Sequence, residues 1–366
     1  MIQDASTRRS GGSGYRMTPA VSVLMPVYNS ERFLREALES VIGQSLTSFE
    51  LIVIDDGSTD GSASILKTYR DHRIKVIRHS VNQGLSSALN RGLEVCVGEF
   101  IARMDADDVA MPNRLARQVG FLQEHPETGV TGSFCEVIDS GGLRIGTMSL
   151  PVTDLAIRWS SLLASPFAHP STMIRRDVLE RHQLRFDPTL LVAADYDLWT
   201  RLLRYTRGAN LDEPLLRYRI HNESQTTQHR KTQLANRDRI ALRTIGEQFP
   251  RLRITLPEVS QLRHLFSGGR EQPPDGFKRR SELVSLYLDL WRAFAQNHRG
   301  EALLRELQRK EALRTARVLL HRPLPPRWWV PLLRLLALSP GLSRYLVTRA
   351  FHRAREVFTL RTGRSF

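Results

Sequence analysis

Four short apolar runs, each bounded by polar residues, recur along the first third of this chain. Segments with apolar residues at helical spacing separate these runs, which occupy residues 21–25, 51–54, 74–77 and 99–104. The clearest such segment, residues 31–42, repeats apolar side chains at i, i+3 and i+4. A strand at 130–138 and a helix beginning at Pro112 continue the pattern, whereas Pro26 is expected to end the first strand. This alternation predicts an α/β fold around a parallel sheet.

The fourth apolar run ends in three carboxylates within four residues, Asp105, Asp107 and Asp108. Small divalent cations prefer oxygen ligands and commonly take one or two carboxylates, leaving other positions for water and phosphates. Asp105 and Asp107 are therefore candidate ligands for Mg²⁺ or Mn²⁺. The alternative is a solvated acidic turn in which one Asp caps the following helix.

The ends of the second and third runs also carry polar residues. Asp55-Asp56-Gly57 follows the second run, and Gly84 opens a helix after the third. Ligands of open α/β sheets bind beyond the carboxyl ends of the strands, so Asp56 is a candidate for contacting a nucleotide. Amide groups at Gly84 could face a phosphate, with Arg91 adding positive charge. An ordinary turn that caps the next helix is the alternative at Asp56.

Together, these segments resemble glycosyltransferase family 2, a family of inverting enzymes with the GT-A fold. The motifs that carry the resemblance are Val23–Asn29, Val53–Asp60, Asn82-x-Gly84 with Asn90, and Met104–Asp108. The resemblance extends over about residues 20–225. It implies a GT-A nucleotide-diphospho-sugar transferase fold, a Rossmann-like mixed sheet flanked by helices. It also implies transfer of a sugar from a nucleotide-sugar donor, usually UDP-linked, to an acceptor hydroxyl.

The resemblance further implies which residues hold the donor. Pro26, Tyr28 and Asp56 would contact the base and ribose, and Asp105 and Asp107 would form the metal-binding pair. The residues expected to bind the nucleotide sugar are Pro26, Tyr28, Asn29, Asp56, Asn82, Gly84, Asn90, Arg91, Asp105 and Arg219. A Mg²⁺ or Mn²⁺ ion would stabilise the negative charge of the departing nucleotide as a Lewis acid.

Transfer also needs a base, because the acceptor hydroxyl loses a proton as it attacks the sugar. At helical spacing, Asp195 shares a face with the apolar residues Leu198, Trp199 and Leu202. A carboxylate that points into a cleft can gain basicity by desolvation, so Asp195 is the predicted catalytic base. The alternative is that Asp195 only caps the helix.

Two neighbours of Asp195 complete this motif. Asp197 lies off the apolar face four residues before Arg201, which predicts a solvated ion pair. In the family, a Glu-Asp pair usually occupies this place, with the Asp as base. Ala194 stands here instead of the Glu, a departure that retains the base but puts in doubt the acceptor contact of the Glu.

The remaining site residues come from two later segments. Residues 216–224 resemble the strand and loop that close the donor site, so His221 is expected to contact the metal or the diphosphate and Arg219 the phosphate oxygens. Residues 165–176 resemble the acceptor side, with His169 and Trp159 lining a sugar site. A place in the hydrophobic core is the alternative for Trp159.

The net charge of +15 is concentrated in the last part of the chain. Residues 231–366 contain 27 Lys and Arg against 11 Asp and Glu, whereas residues 1–230 contain 26 against 27. We therefore predict a disordered tail at 1–18, a catalytic domain at 19–230 and a helical basic extension at 231–366. Trp328 and Trp329, flanked by Arg and Leu, suggest a segment that lies on an anionic membrane. The alternative is a helical hairpin packed on the catalytic domain; nucleic-acid binding is not expected, because no motif supports it.

Three sequence features indicate the cellular compartment of this protein. Cys96 and Cys135 lie in apolar contexts without disulfide or zinc spacing, which indicates reduced core residues. No run of 18 uncharged apolar residues exists, and the N-terminal tail lacks the apolar core of a secretory signal. We expect a cytoplasmic protein. Peripheral attachment to the inner face of the cell membrane is a further option.

The sequence thus predicts a metal-dependent inverting glycosyltransferase that acts on a carbohydrate or lipid-linked acceptor in surface polysaccharide or glycoconjugate assembly. One alternative is a nucleotidyltransferase, but residues 26–29 occupy the place where its glycine-rich basic loop is expected. The other is a catalytically silent scaffold that binds nucleotide sugars, against which the presence of Asp105, Asp107 and Asp195 argues.

Overall fold

A nine-stranded mixed sheet organises this protein, whose computed structural model describes residues 18–222, 224–266 and 280–319. The strands are β1 (Val21–Val27), β2 (Phe49–Asp55), β3 (Ile74–Arg78), β4 (Phe100–Arg103), β5 (Val109–Ala110), β6 (Thr128–Ile138), β7 (Arg144–Met148), β8 (Met173–Arg175) and β9 (Arg207–Arg219). They are ordered β3-β2-β1-β4-β8-β6-β9-β5, and β7 pairs with β6.

Only part of this sheet is parallel. Strands β3, β2, β1 and β4 are parallel, as their apolar runs predict, and every residue of β1 and β2 is buried. The short strand β8 then runs antiparallel to both β4 and β6, and β5 runs antiparallel to β9. The mixed sheet flanked by helices that the family resemblance implies is therefore confirmed, and a wholly parallel sheet is not found.

Helices cover both faces of the sheet. Those of the first 202 residues are α1 (Leu34–Ile42), α2 (Ser62–Leu66), α3 (Leu85–Val95), α4 (Arg114–Glu124), α5 (Asp154–Ser161), α6 (Arg176–Arg181) and α7 (Ala194–Leu202). Alternate residues of β1 supply the two layers, because side chains of a strand alternate between faces. Val23 and Met25 pack with α1 and α4, while Leu24 packs with α3 and α7.

Pro26 does not end β1 as expected from its missing amide hydrogen. The carbonyl of Val27 accepts a hydrogen bond from Asp56 N at 2.8 Å and therefore faces β2. Successive residues of a strand face opposite sides, so Pro26 faces β4, whose pairing with β1 ends at Leu24. No ladder donor is required at Pro26, and the strand continues to Val27.

A second group of helices packs on the catalytic part of the chain. It comprises α8 (Gln225–Gln228), α9 (Arg230–Gln248), α10 (Leu256–Phe266), α11 (Arg280–Asn297) and α12 (Leu304–Leu319). Trp159 of α5 is 5% exposed and lies edge-on to Tyr287 and Trp291 of α11, with ring centroids 5.4 and 4.9 Å away. These contacts agree with the alternative of helices packed on the domain.

Asp197 differs from its sequence expectation. It pairs with Arg201 as predicted, but it is only 2% exposed and also accepts a hydrogen bond from Nη1 of Arg243 on α9 at 2.7 Å. The packing of α9 has excluded water from a side chain that α7 alone would leave solvated.

Two expectations fall outside the described residues. They are the disordered tail, apart from residue 18, and the membrane segment around Trp328 and Trp329. Within the residues that the structure does describe, no helix is both long and apolar enough to cross a bilayer.

Replacing Trp159 with Ala should lower the free energy of unfolding by about 3–5 kcal/mol, because it leaves a cavity between α5 and α11. Urea unfolding followed by circular dichroism measures the loss. The matched control is Tyr205→Ala, since Tyr205 is 52% exposed and stacks only at the surface on His182; it should cost less than about 1 kcal/mol. Equal losses for the two variants would contradict the packing role of Trp159.

Candidate active site

Three carboxylates converge in the loop that leaves β4, and we call Asp105, Asp107 and Asp108 the acid cluster. One ligand oxygen from each lies within 4.8 Å of the others. The loop is fixed at both ends. Met104 N donates to Leu24 O at 3.1 Å, and β5, directly after the cluster, pairs with β9. The cluster therefore stands at the carboxyl end of the parallel strands, where open α/β sheets bind ligands.

Each acid has a different environment. Asp105 is paired with Arg103, and Asp107 Oδ2 lies 2.8 Å from His221 Nε2. Asp108 is 1% exposed, and its Oδ1 accepts a hydrogen bond from Arg219 N at 2.8 Å. Burial raises the pKa of Asp105 and raises the pKa of Asp108 well above its ordinary value, and the neighbouring carboxylates add to both shifts.

These features fit a divalent cation. Asp108 Oδ2 is buried and has no hydrogen-bond partner among the described residues, so one carboxyl oxygen is left unsatisfied. Asp105, Asp107 and Asp108 provide hard oxygen donors of the kind that Mg²⁺ and Mn²⁺ bind. His221 could complete the set through its ring nitrogen, as the family resemblance implies.

Arg219 does not have the position expected for a phosphate ligand. Its Nε donates to Asp107 O at 2.7 Å, Nη1 to Asp139 O at 3.2 Å and Nη2 to Glu36 Oε2 at 2.6 Å. The side chain is also almost completely buried, with its guanidinium 4.6 Å from the ring centroid of Phe33. These protein groups use the guanidinium that was expected to bind the diphosphate. Arg219 therefore fixes the backbone of the acid cluster.

Asp195 lies in the first turn of α7, one residue after the helix begins at Ala194. The helix cap is Ala193, which has a left-handed φ of 67°, so the alternative that Asp195 is the cap is wrong. Leu198, Trp199 and Leu202 are fully buried, as their shared face predicts. Burial raises the pKa of Asp195, and the charge of Arg237 on α9 opposes the rise.

The acid cluster and Asp195 lie close enough to interact electrostatically. The negative charge of Asp195 contributes to the raised pKa of Asp105. Tyr218 on β9 is within electrostatic reach of both groups, because the three acids of the cluster and Asp195 add to the effect of burial in raising its pKa. Tyr218 was not singled out from the sequence, although it stands beside Arg219 in the closing segment.

Asp56 organises the neighbouring loop. Its carboxylate lies 2.7 Å from Nδ1 of His79 and accepts hydrogen bonds from Gln83 N at 3.0 Å and Gly84 N at 2.8 Å. Gly84 has a φ of 89°, a conformation that suits glycine. Its amide also lies 3.0 Å from Asn82 Oδ1, so the expected donation to a phosphate is replaced by bonds within the protein.

The ends of β1 and β2 are tied together by Asn29. Its side-chain Oδ1 accepts a hydrogen bond from Thr59 N at 2.9 Å, and its backbone amide donates to Ser58 Oγ at 3.2 Å. Tyr28 is 44% exposed beside this connection, so its ring is available to a ligand. Pro26 is buried within β1 and cannot contact the base, contrary to the expectation.

The side chains of Asn90 and Arg91 also bond to other groups of the protein. The amide of Asn90 donates to Phe186 O at 2.8 Å and accepts from Phe186 N at 2.9 Å, which holds the segment before α7. Arg91 pairs with Glu94 on the surface of α3, where both side chains are about half exposed. The structure therefore does not support a nucleotide-sugar contact for either residue.

The two residues expected to line the acceptor site, His169 and Trp159, lie in different parts of the structure. His169 lies close to Trp199 and Phe186, with ring centroids 5.9 and 5.5 Å away, and its buried Nε2 has no partner among the described residues. Burial, assisted by the charge of Arg103, lowers its pKa well below the ordinary value. Trp159 packs in the helical core described above and cannot line a sugar site.

Comparisons with known proteins identify relatives of this chain. The model of the family described as Glycosyl transferase family 2 matches residues 22–183. The chain is 37% identical to the putative glycosyltransferase EpsE of Bacillus subtilis, over 58% of this chain and 76% of that protein. It is 33% identical to the O-antigen biosynthesis glycosyltransferase WbnJ of Escherichia coli, over 57% of this chain and 83% of that protein.

Among solved structures, residues 1–349 of S. aureus TarS in complex with UDP-GlcNAc superpose with a TM-score of 0.54 at 19% identity. The match covers 88% of this chain and 91% of that chain. A likeness at this identity shows the fold, which is the GT-A fold.

Mn²⁺ should raise the melting temperature at about pH 7.5 and raise it much less at about pH 5. Binding requires ionised carboxylates, and the pKa values of Asp105 and Asp108 lie above the ordinary 3.8, so affinity falls as the pH falls through them. Asp108→Asn should remove most of the Mn²⁺ effect and raise the melting temperature without metal, because it removes one of three carboxyl groups that repel one another when ionised.

Differential scanning fluorimetry on the full chain measures both effects. Asp212→Asn, on an exposed part of β9, is the control and should behave as the wild type does. A Mn²⁺ shift that persists in Asp108→Asn, or that does not change with pH, would refute the assignment.

Proposed function

This chain belongs to glycosyltransferase family 2, and from that premise we propose that it is an inverting enzyme that transfers a sugar from a nucleoside-diphosphate donor to an acceptor hydroxyl. The observation that carries the proposal is the electrostatic proximity of the acid cluster and Asp195. One group of carboxylates suits a cation that faces the leaving diphosphate, and a separate carboxylate suits proton removal. Direct displacement at the anomeric carbon requires both functions at one place.

Asp195 is the proposed catalytic base. It accepts the proton of the acceptor hydroxyl as that oxygen bonds to the anomeric carbon and the bond to the nucleotide breaks on the opposite side. A single displacement of this kind inverts the anomeric configuration. Burial supports the assignment, because it raises the pKa of Asp195 towards the working range of a base, while Arg237 limits the rise.

Asp105, Asp107 and Asp108, with His221, would hold Mg²⁺ or Mn²⁺. Bound there, the ion would act as a Lewis acid and stabilise the charge of the departing diphosphate. The protein's own part is to hold these ligands in place. Arg103 pairs with Asp105, and Arg219 donates to the carbonyl of Asp107 through Nε and to the carboxylate of Asp108 through its backbone amide. Such positioning lowers the reorganisation needed during transfer.

We propose that the donor is UDP-linked. The TarS structure on the same fold contains UDP-GlcNAc, and the exposed ring of Tyr28 lies beside the loop held by Asp56 and Asn29. In this arrangement Tyr28 provides a surface for the base. Asp56, Asn29, Asn82 and Gly84 act by shaping the loop.

The names of the relatives support a role in surface polysaccharide assembly. They include the O-antigen enzyme WbnJ and AmsE of Erwinia amylovora, an amylovoran biosynthesis glycosyltransferase that is 30% identical over 55% of this chain. The proposed acceptor is therefore a carbohydrate or lipid-linked carbohydrate at the inner face of the cell membrane. The nucleotidyltransferase alternative loses its support with the family assignment.

Replacing Asp195 with Asn should lower sugar transfer by about 10²–10⁴-fold, the usual contribution of a general base, and leave UDP affinity nearly unchanged. UDP release from a panel of UDP-sugars, with and without EDTA, gives the activity, and isothermal titration calorimetry gives the affinity. Asp177→Asn is the control, because Asp177 pairs with Arg181 on the surface of α6. Normal turnover in Asp195→Asn would remove this residue from the mechanism, and no UDP release by the wild type from any donor would favour a silent scaffold.

The basic C-terminal extension is the proposed site of membrane attachment. The full chain should co-sediment with phosphatidylglycerol vesicles and not with phosphatidylcholine vesicles, because a basic segment with two adjacent Trp residues favours an anionic interface. Trp328→Ala/Trp329→Ala should weaken co-sedimentation without affecting UDP release. Equal binding to both kinds of vesicle, or an unchanged double variant, would contradict the proposal.

A further inference from the structure

Arg237 is a cation near the proposed base whose hydrogen-bonding capacity is unused. Its Nε is buried, and its guanidinium forms no hydrogen bond or ion pair with any residue that the structure describes. Burial lowers the pKa of Arg237, and the charge of Asp195 opposes this effect. A buried Nε–H without a hydrogen-bond acceptor is costly, so the position of Arg237 favours a ligand that supplies one.

Helix α9 places this side chain beside the start of α7. Nδ2 of Asn236 donates to Val192 O at 3.1 Å, and Ile240 packs on Ala193 and Tyr196. Arg237 follows Asn236 and precedes Ile240 by three residues, so it shares the helical face that these contacts fix. The guanidinium therefore approaches Asp195 from the side of α9. The acid cluster, by contrast, is fixed by β9 and Arg219.

Three other arginines of α9 and α10 differ from Arg237, because each has a hydrogen-bond partner within the protein. Arg243 bonds to Asp197 and to Thr200 Oγ1, and Arg263 of α10 pairs with Asp238 and donates to Leu163 O. Arg239 lies on the exposed side of α9 and donates to Asn236 Oδ1 at 3.3 Å. Arg243 and Arg263 thus connect helices, and Arg239 bonds within α9. Arg237 instead has a buried Nε without a partner among the described residues and lies within electrostatic reach of Asp195.

From this contrast we propose that Arg237 binds an anionic group, a phosphate or a carboxylate, carried by the acceptor substrate. This inference rests on the proposed function, because it assumes that Asp195 marks the acceptor side of the cleft. The planar fork of a guanidinium matches the two oxygens of either anion and forms short charge-assisted hydrogen bonds with them. A neutral sugar hydroxyl would use less of this capacity.

The neighbourhood of the base agrees with this assignment. In the free protein, Arg237 is the largest of the influences that oppose the raised pKa of Asp195. An acceptor anion that pairs with Arg237 would neutralise that influence at the moment when the hydroxyl arrives. The bound acceptor would thus make Asp195 a stronger base, whereas water alone would not.

The test uses the full chain saturated with Mg²⁺ and UDP, so that the donor site is filled. Inorganic phosphate, glucuronate and glucose are titrated separately by calorimetry into the wild type, Arg237→Gln and Arg239→Gln. The last variant is the matched control, with the same charge change two residues away on the same helix. We expect the wild type and Arg239→Gln to bind phosphate or glucuronate alike, Arg237→Gln to bind it at least about tenfold more weakly, and glucose to show no dependence on Arg237.

Phosphate and glucuronate identify the source of the anion, since the tighter of the two indicates a phosphorylated or an acidic-sugar acceptor. The inference is overturned if the wild type binds neither anion, or if Arg237→Gln binds them as the wild type does. A loss of UDP affinity in Arg237→Gln would also overturn it, because Arg237 would then belong to the donor site.

UDP release from donor sugars in water, measured in parallel, separates this failure from that of the proposed function. Release by the wild type with no role for Arg237 in anion binding would reject the acceptor inference alone. If no donor is hydrolysed, the proposed function itself fails.

Discussion

Mutual repulsion of carboxylates is the constraint on which the rest of this structure depends. Asp105, Asp107 and Asp108 lie within a few ångströms of one another, partly or wholly out of water, and Asp195 adds a fourth charge to the same cleft. Without compensation such a group would protonate or separate. The fold supplies part of the compensation through protein cations, and under the proposed function a divalent ion and the substrates would supply the remainder.

Three side chains hold the cluster, one at the end of β4, one at the end of β9 and one just after β9. Arg103 at the end of β4 pairs with Asp105, Arg219 on β9 fixes the backbone around Asp107, and His221 approaches the side chain of Asp107. Because β5 and β9 pair directly behind the loop, the sheet itself determines where the acids point. The positions of the three acids are a consequence of strand order, and the helices on either face mainly shield the sheet from water.

The helical extension has a comparable influence on the base. Asn236 and Ile240 press α9 against the start of α7, and Arg243 neutralises Asp197 where α7 would otherwise expose it. Arg237 reaches Asp195 from the same helix. The basic part of the chain therefore also influences the electrostatic environment of Asp195. Under the proposed function, this would link acceptor recognition to the packing of α9.

The sequence alone determined the α/β class, the parallel strands, the acid cluster and the inward face of Asp195, because periodicity and local motif order express local burial and turn geometry. It did not separate residues that face the cleft from residues that hold it. Arg219, Asn90, Gly84 and Pro26 belong to the family's motifs, yet their hydrogen-bonding groups or surfaces are taken up by Asp107, Phe186, Asp56 and β1 itself. The role of Trp159 depended on α11, which begins at Arg280, and that of Arg237 on α9, which begins at the predicted domain boundary. Only the tertiary structure decided these roles, since the free energy of a polar or aromatic side chain depends on which distant groups share its surroundings.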